Sequence, residues 1–203
     1  MKSSSFIAAV ACLTLLTVTY CSKTPEKPVK ETQLVTFPKN NVETNSDVKV
    51  DSISTGEDSL ALQIKDYINT QYLKPEDLRA IGQSERKFNF DQIDLNNDGK
   101  REIFINLFTP YFCGSGGCSL VLLDHNLKLI NKFTVTRTPI TVDSKTENGW
   151  KVLWLKDGKS WKILTNKNGK YPSNPSLITV TKEAPDSNNV KLFEGHTSKE
   201  YPF

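Results

Sequence analysis

The chain has 203 residues, 26 of them Lys or Arg and 23 Asp or Glu, for a formal net charge of +3. That length suits one domain of ordinary size, and so small and scattered a charge gives no electrostatic argument for nucleic acid. Two histidines and four cysteines form no Cys/His cluster, so the sequence does not point to a transition-metal site.

Residues 1–20 read as a secretory signal peptide. Met1-Lys2 is a short basic start, Phe6 to Val18 is an apolar run short for a bilayer span, and Cys21 follows closely. The end of this segment, Val18-Thr19-Tyr20-Cys21, resembles the bacterial lipoprotein box, although Tyr20 stands where that box usually has a small residue. The resemblance implies that Cys21 becomes a lipidated first residue, anchoring the protein in the bacterial cell envelope, at the outer membrane or in the periplasm. Cys12 goes with the leader. Export then leaves Cys113 and Cys118 in an oxidising compartment, where a disulfide is their expected state.

From 21 to 58 the composition is Thr, Lys, Glu, Pro, Asn and Ser with isolated Val and Ile. Such a segment cannot bury enough apolar surface to offset its ordering entropy, so it reads as a disordered, lipid-anchored tether. As a flexible coil, roughly 36 residues would reach about 30–36 Å.

The folded domain is expected over 59–182. Leu60, Ile64, Tyr67, Ile68 and Tyr72 recur at helical spacing, predicting an amphipathic helix over 59–73 capped by Asp58 or Ser59. A short second helix fits 75–81, with Pro75 at its first position, Glu76 and Asp77 in its first turn, and Gly82 to end it. From Lys87 the signals turn to strand: Phe88 and Phe90 alternate, and 102–109, 119–124, 127–136 and 139–143 are β-rich runs between turn residues. Residues 150–156 and 159–164 form the clearest hairpin, joined through Asp157-Gly158. That register would set Trp154 opposite Trp161 and Val152 opposite Ile163, on a core face or, in the alternative, on a sugar-binding aromatic platform. Asn168-Gly169 marks another turn, 177–180 a last short strand, and 183–203 a partly ordered tail. The expected fold class is α+β, an N-terminal helical pair packed on a mostly antiparallel β-sheet.

Two stretches carry chemistry. In Asp94-Leu-Asn96-Asn-Asp98-Gly99-Lys100-Arg-Glu102 side-chain oxygens fall at alternate positions with a glycine where the chain must turn. Counting from Asp94, Asn96 and Asp98 are third and fifth, the Lys100 carbonyl seventh and Glu102 ninth; the twelfth residue is Ile105, which excludes a standard helix–loop–helix hand. The loop and its following apolar strand resemble the EF-hand-like calcium loops of FG-GAP and VCBS repeat proteins, whose last ligand is an acidic residue at the ninth position. The resemblance covers about a dozen residues and implies Ca2+ on Asp94, Asn96, Asp98, Lys100 and Glu102, without the propeller fold. The alternative is an Asx-rich turn that holds only its own backbone.

Beyond the next strand, Cys113-Gly114-Ser115-Gly116-Gly117-Cys118 would close a small disulfide ring whose main effect is to shape a loop. A DxNxDG loop, a strand and an FCGSGGC loop in succession resemble a pattern in uncharacterised bacterial envelope proteins, which transfers no activity. The ring also superficially resembles the nucleophile segment of trypsin-like proteases, but Gly114 replaces the acidic neighbour and no histidine lies upstream. The two histidines, His125 and His196, fall in a hairpin turn and in the tail, which counts against a Ser-His-Asp arrangement. Four residues between the cysteines and no following helix argue against a redox motif. Architecturally, the ring has some likeness to the disulfide-bracketed loops that periplasmic lysozyme inhibitors insert into their targets, which implies a partner loop at Gly114, Ser115, Gly116 and Gly117. The resulting expectation is a non-enzymatic envelope lipoprotein, a binding or scaffolding module with a calcium-braced loop. The alternative is an inhibitor of a secreted or periplasmic hydrolase.

Overall fold

The computed structural model describes residues 56–195 and 198–203. The expected signal peptide, Cys12, the expected lipidation site Cys21, the expected tether up to residue 55 and His196 lie outside these residues. Helix α1 (Gly56–Tyr67) continues as a π-helical turn, Ile68–Tyr72, and α2 follows at Pro75–Ala80. The strands are β1 (Lys87–Ile93), β2 (Glu102–Leu107), β3 (Cys113–Gly114), β4 (Gly117–Leu123), β5 (Leu129–Thr136), β6 (Ile140–Glu147), β7 (Trp150–Asp157), β8 (Ser160–Leu164), β9 (Val180–Thr181), β10 (Val190–Leu192) and β11 (Tyr201–Pro202).

The fold is α+β, but the strands form two sheets rather than one. The first runs β11-β1-β2-β4, with β4 pairing both β3 and β5; the second runs β10-β6-β7-β8-β9, and the pairings are antiparallel. Alternation along β2 makes it the middle layer, since every one of its residues is buried. Ile103, Ile105 and Leu107 join Val121, Leu123, Phe88 and Phe90 under the helices, packed by Ile64, Tyr67 and Ile68. Phe104 on the opposite face joins Leu120, Leu122 and Phe133 against Ile140, Leu153, Leu155 and Leu164 of the second sheet. Truncating any one of the wholly buried members, such as Ile64 or Phe104, costs on the order of 2–5 kcal/mol.

The helix face read from periodicity packs inward: Ile64, Tyr67 and Ile68 are buried, with Leu60 and Tyr72 at the margin of the same cluster. Its start differs. The helix begins at Gly56, so Asp58 lies in the first turn beside Glu57, where both carboxylates suit the N-terminal dipole. Both are also tied to the far end of the chain, Glu57 by the Tyr201 hydroxyl at 2.9 Å and Asp58 by an ion pair with Lys199. Helix α2 starts at Pro75, and Asp77 accepts from the Lys74 N–H at 2.9 Å. Gly82 does not end it through a left-handed turn; its φ is −60°, and Arg86 covers the C-terminus by donating to the Leu78 and Ile81 carbonyls.

The β7–β8 hairpin is present with a register two residues from that expected. Trp154 faces Ile163, Trp161 faces Lys156, and Asp157 faces Ser160. The turn residues are therefore Gly158 and Lys159, and Gly158 alone carries a positive φ, +60°, as a turn with glycine first requires. A shift of two preserves face, so both tryptophans remain on one side. Trp154 is buried and its indole N–H donates to Asp143 at 2.9 Å, whereas Trp161 is half-buried with the Lys156 ammonium 5.9 Å from its ring centre. Trp154 is a packing residue, which removes the paired platform. The segment after 182 also contributes to the fold, since β10 and β11 edge the two sheets and Phe193, Tyr201 and Phe203 are buried.

Burial alone would push the Asp143 carboxyl up, but the Lys145 N–H and the Trp154 indole together hold it below the usual range. A depressed folded value stabilises the protein above the unfolded Asp value of about 3.9, and that contribution is lost as pH falls through the folded value. Asp143→Asn is accordingly expected to cost about 1 kcal/mol at neutral pH. Urea unfolding at a series of pH values should show the variant and the parent converging in acid; a constant gap would exclude the charge as the cause.

Candidate functional site

The two stretches picked out by the sequence sit at opposite ends of β2. The acidic one is the β1–β2 loop, closed by the pair Ile93↔Glu102. Its side chains bind its own backbone. Asp94 accepts from the Gly99 N–H at 2.9 Å and the Asn96 N–H at 3.3 Å, Asn96 from the Asp98 N–H at 3.0 Å, and Asp98 from the Lys100 N–H at 2.8 Å. Asn97 and Gly99 take positive φ, +59° and +81°, conformations that Asn and Gly adopt at least cost. Burial would raise the Asp94 carboxyl, but the N–H groups of Gly99, Asn97, Asn96 and Asp98 outweigh it and hold it below the usual carboxylate range.

Glu102 differs from the other three because it is buried, 2% exposed, at the start of β2. One of its oxygens accepts from the Leu95 N–H at 2.7 Å. Leu95 is wholly buried in the inter-sheet core, and its carbonyl accepts from Lys151 N–H at 2.7 Å, fastening the loop to β7. Burial, then the nearby Asp98 and Asp94 charges, push the Glu102 carboxyl up against the opposing pull of the Leu95 N–H.

An all-oxygen donor set is the chemistry a hard cation takes, and each carboxylate oxygen keeps a lone pair beyond the one its backbone bond uses. The present geometry is not that of a closed coordination shell. Among the described residues no three His, Cys, Asp or Glu side chains gather closely enough to hold a metal ion. Asp94, Asn96, Asp98, the Lys100 carbonyl and Glu102 would have to turn inward together to hold one.

At the other end, Cys113 and Cys118 are joined by a disulfide and face each other across β3 and β4, with Gly114 opposite Gly117 and Ser115-Gly116 as the turn. The ring is a two-residue hairpin, pinned from the side by β5. Between Leu120↔Phe133 and Cys118↔Thr136 the register slips, and Val135 there takes a φ of +53°, which strains a β-branched residue. This bulge lays Val135 on the turn: a Cβ at Gly116 would lie 2.4 Å from its Cγ1. Gly117, at φ +138°, would place a Cβ 2.5 Å from the Thr136 carbonyl oxygen. Arg137 completes the clamp, donating to the Ser115 carbonyl at 2.8 Å and the Gly116 carbonyl at 3.1 Å.

The four glycine-loop residues therefore divide. Gly114 and Ser115 are exposed, and nothing lies within 4 Å of a Cβ added at Gly114. Gly116 and Gly117 face inward and serve packing. The preceding turn is also held, since the Tyr111 hydroxyl donates to Asp77 of α2 at 2.7 Å and Phe112 packs edge-on to Phe203. His125 is exposed in the β4–β5 turn. Val135 and Arg137 escaped the sequence reading because a lone valine and a lone arginine carry no motif. Compared with known protein families, with curated proteins and with solved structures, the chain matches none.

Proposed function

We propose that this protein is an exported, lipid-anchored protein of the bacterial cell envelope that works as a binding or scaffolding module, with Ca2+ bracing the loop at 94–102. The observation that carries the binding reading is the hairpin tip. A disulfide, the Val135 contact and two Arg137 hydrogen bonds immobilise it, yet Gly114 and Ser115 face outward. A tip already held in one shape loses little entropy when a partner closes on it. The address rests on residues 1–21, and the cation on the oxygen donors of Asp94, Asn96, Asp98, Lys100 and Glu102.

A second reading is favoured by the same rigidity: an inhibitor that inserts Gly114-Ser115 into the cleft of a secreted or periplasmic hydrolase. Both readings make the tip the contact. Immobilised protein should capture an envelope partner, and a Gly114→Asp, Ser115→Lys double variant should lose at least tenfold in capture at unchanged melting temperature. Inhibition of the captured protein's activity selects the inhibitor, and capture without inhibition selects the module. Equal capture by the double variant would make the hairpin a purely structural device.

A further inference from the structure

On the inner face of the first sheet, Phe104, Leu120, Leu122 and Phe133 close against the second sheet. Two residues further along β2 the same face carries Asn106, and β1 sets Asn89 directly opposite it. There the layers part. A cavity of about 460 Å³ opens between Asn89, Asn106, Phe108, Thr138, Pro139 and Phe193. A second, of about 270 Å³, shares Asn106, Phe108 and Thr138 with the first and reaches Cys118, Thr136 and Arg137 at the base of the stapled hairpin. The two form one groove with Asn106 at its middle.

Asn106 is 6% exposed and borders both halves of the groove. The Asn89 side-chain oxygen, on the neighbouring strand, is buried and without a hydrogen-bond partner among the described residues. Buried polar groups left unpaired cost free energy, and native proteins keep them where a water, an ion or a ligand completes them. An apolar pair here would continue the packing seen at Phe104 and Leu120. Phe193, which lines the larger cavity, takes a positive φ of +57°, a strained conformation for a bulky residue. The Phe193 N–H is anchored to Asp91 of β1 at 2.6 Å.

We infer that this inter-sheet groove binds a neutral, hydroxyl-rich ring of saccharide size, at a site separate from the hairpin tip. Each carboxamide offers two N–H donors and an acceptor oxygen, which matches neighbouring hydroxyls that both give and take hydrogen bonds. Phe108, Phe193 and Pro139 supply apolar walls for the C–H face of such a ring. A phosphorylated or otherwise anionic ligand fits less well. The Arg137 guanidinium is committed to the Ser115 and Gly116 carbonyls, and the carboxylate-bearing Glu200 lines the larger cavity. The larger volume lies within the range of about 300–1,000 Å³ usual for small-molecule sites.

The test is a titration of isotope-labelled full-length protein with N-acetylglucosamine and with cellobiose, following the side-chain amide signals of Asn89 and Asn106 by NMR, with inorganic phosphate as the anionic comparison. Both amides are expected to shift saturably with at least one of the two sugars and not with phosphate. Asn106→Leu should weaken that sugar at least tenfold while leaving the melting temperature equal to or above that of the parent, and capture through Gly114-Ser115 should be unchanged. No saturable shift with either sugar, a response to phosphate instead, sugar binding unaffected by Asn106→Leu, or a marked loss of thermal stability in that variant would each overturn the assignment.

Discussion

Gly117→Ala is expected to lower the melting temperature by about 6–12 °C, while Gly114→Ala, three residues away in the same ring, leaves it within about 1–2 °C. The two glycines are covalently equivalent members of one disulfide loop and differ only in surroundings. At Gly117 an added Cβ meets the Thr136 carbonyl oxygen at 2.5 Å and the backbone sits at φ +138°; at Gly114 it meets nothing within 4 Å. Backbone atoms of β5 cannot move aside without breaking the pairing of Cys118 with Thr136, so strain and overlap combine to about 3 kcal/mol. Calorimetric unfolding of both variants is the measurement. Equal melting temperatures would mean that the hairpin floats free of β5 in solution, and the pre-organised tip would lose its physical basis.

Saturating calcium is expected to raise the melting temperature by about 5–11 °C, because a ligand at about one hundred times its Kd adds about 2.7 kcal/mol to the folded state. The increase depends on the loop oxygens acting together. Asp98→Asn removes one charge from the loop while keeping an oxygen to accept the Lys100 N–H. Glu102→Gln likewise keeps an acceptor for the Leu95 N–H. Each variant should fold and lose most of the calcium response. Magnesium should substitute poorly, since it demands a tighter octahedral shell that this nine-residue loop does not resemble. Thermal scans with calcium, magnesium and chelator, together with calorimetric titration, decide the matter. A flat response at millimolar calcium would leave the loop as an Asx-rich turn that serves only its own backbone, and the hairpin and groove would be unaffected by that result.

Helix and strand positions were legible because their signals are local. Ile64, Tyr67 and Ile68 repeat at 3.6 residues and pack as that period requires, Pro75 opens α2, and the β-rich runs became β1, β2 and β4 through β8 with ends moved by a few residues. Turn chemistry was less secure. Asp157-Gly158 announced a hairpin, but the glycine took the first turn position and moved the register by two. The β6–β7 hairpin, carried by Asn148 and Gly149 at φ +52° and +79°, bears an equally plain Asn-Gly turn signal.

Division of the strands into two sheets was not legible, because strand periodicity reports that a face is buried and not which layer buries it. The contribution of residues 183–203 to the two sheets was not legible for the same reason. Their turn-rich composition suggested a tail, yet the Phe193 N–H reaches Asp91 and the Tyr201 hydroxyl reaches Glu57 across separations of 102 and 144 residues.

By itself, the sequence determined the α+β class, the disulfide pairing of Cys113 with Cys118 and the oxygen-rich character of the 94–102 loop, since each depends on composition or on neighbours a few positions apart. The tertiary structure alone decided that the stapled hairpin is clamped by Val135 and Arg137, leaving Gly114 and Ser115 as its exposed tip. It alone brought Asn89 and Asn106 to the floor of a groove between sheets. Those arrangements depend on which distant segments the packing of two sheets places side by side, and no local pattern encodes that choice.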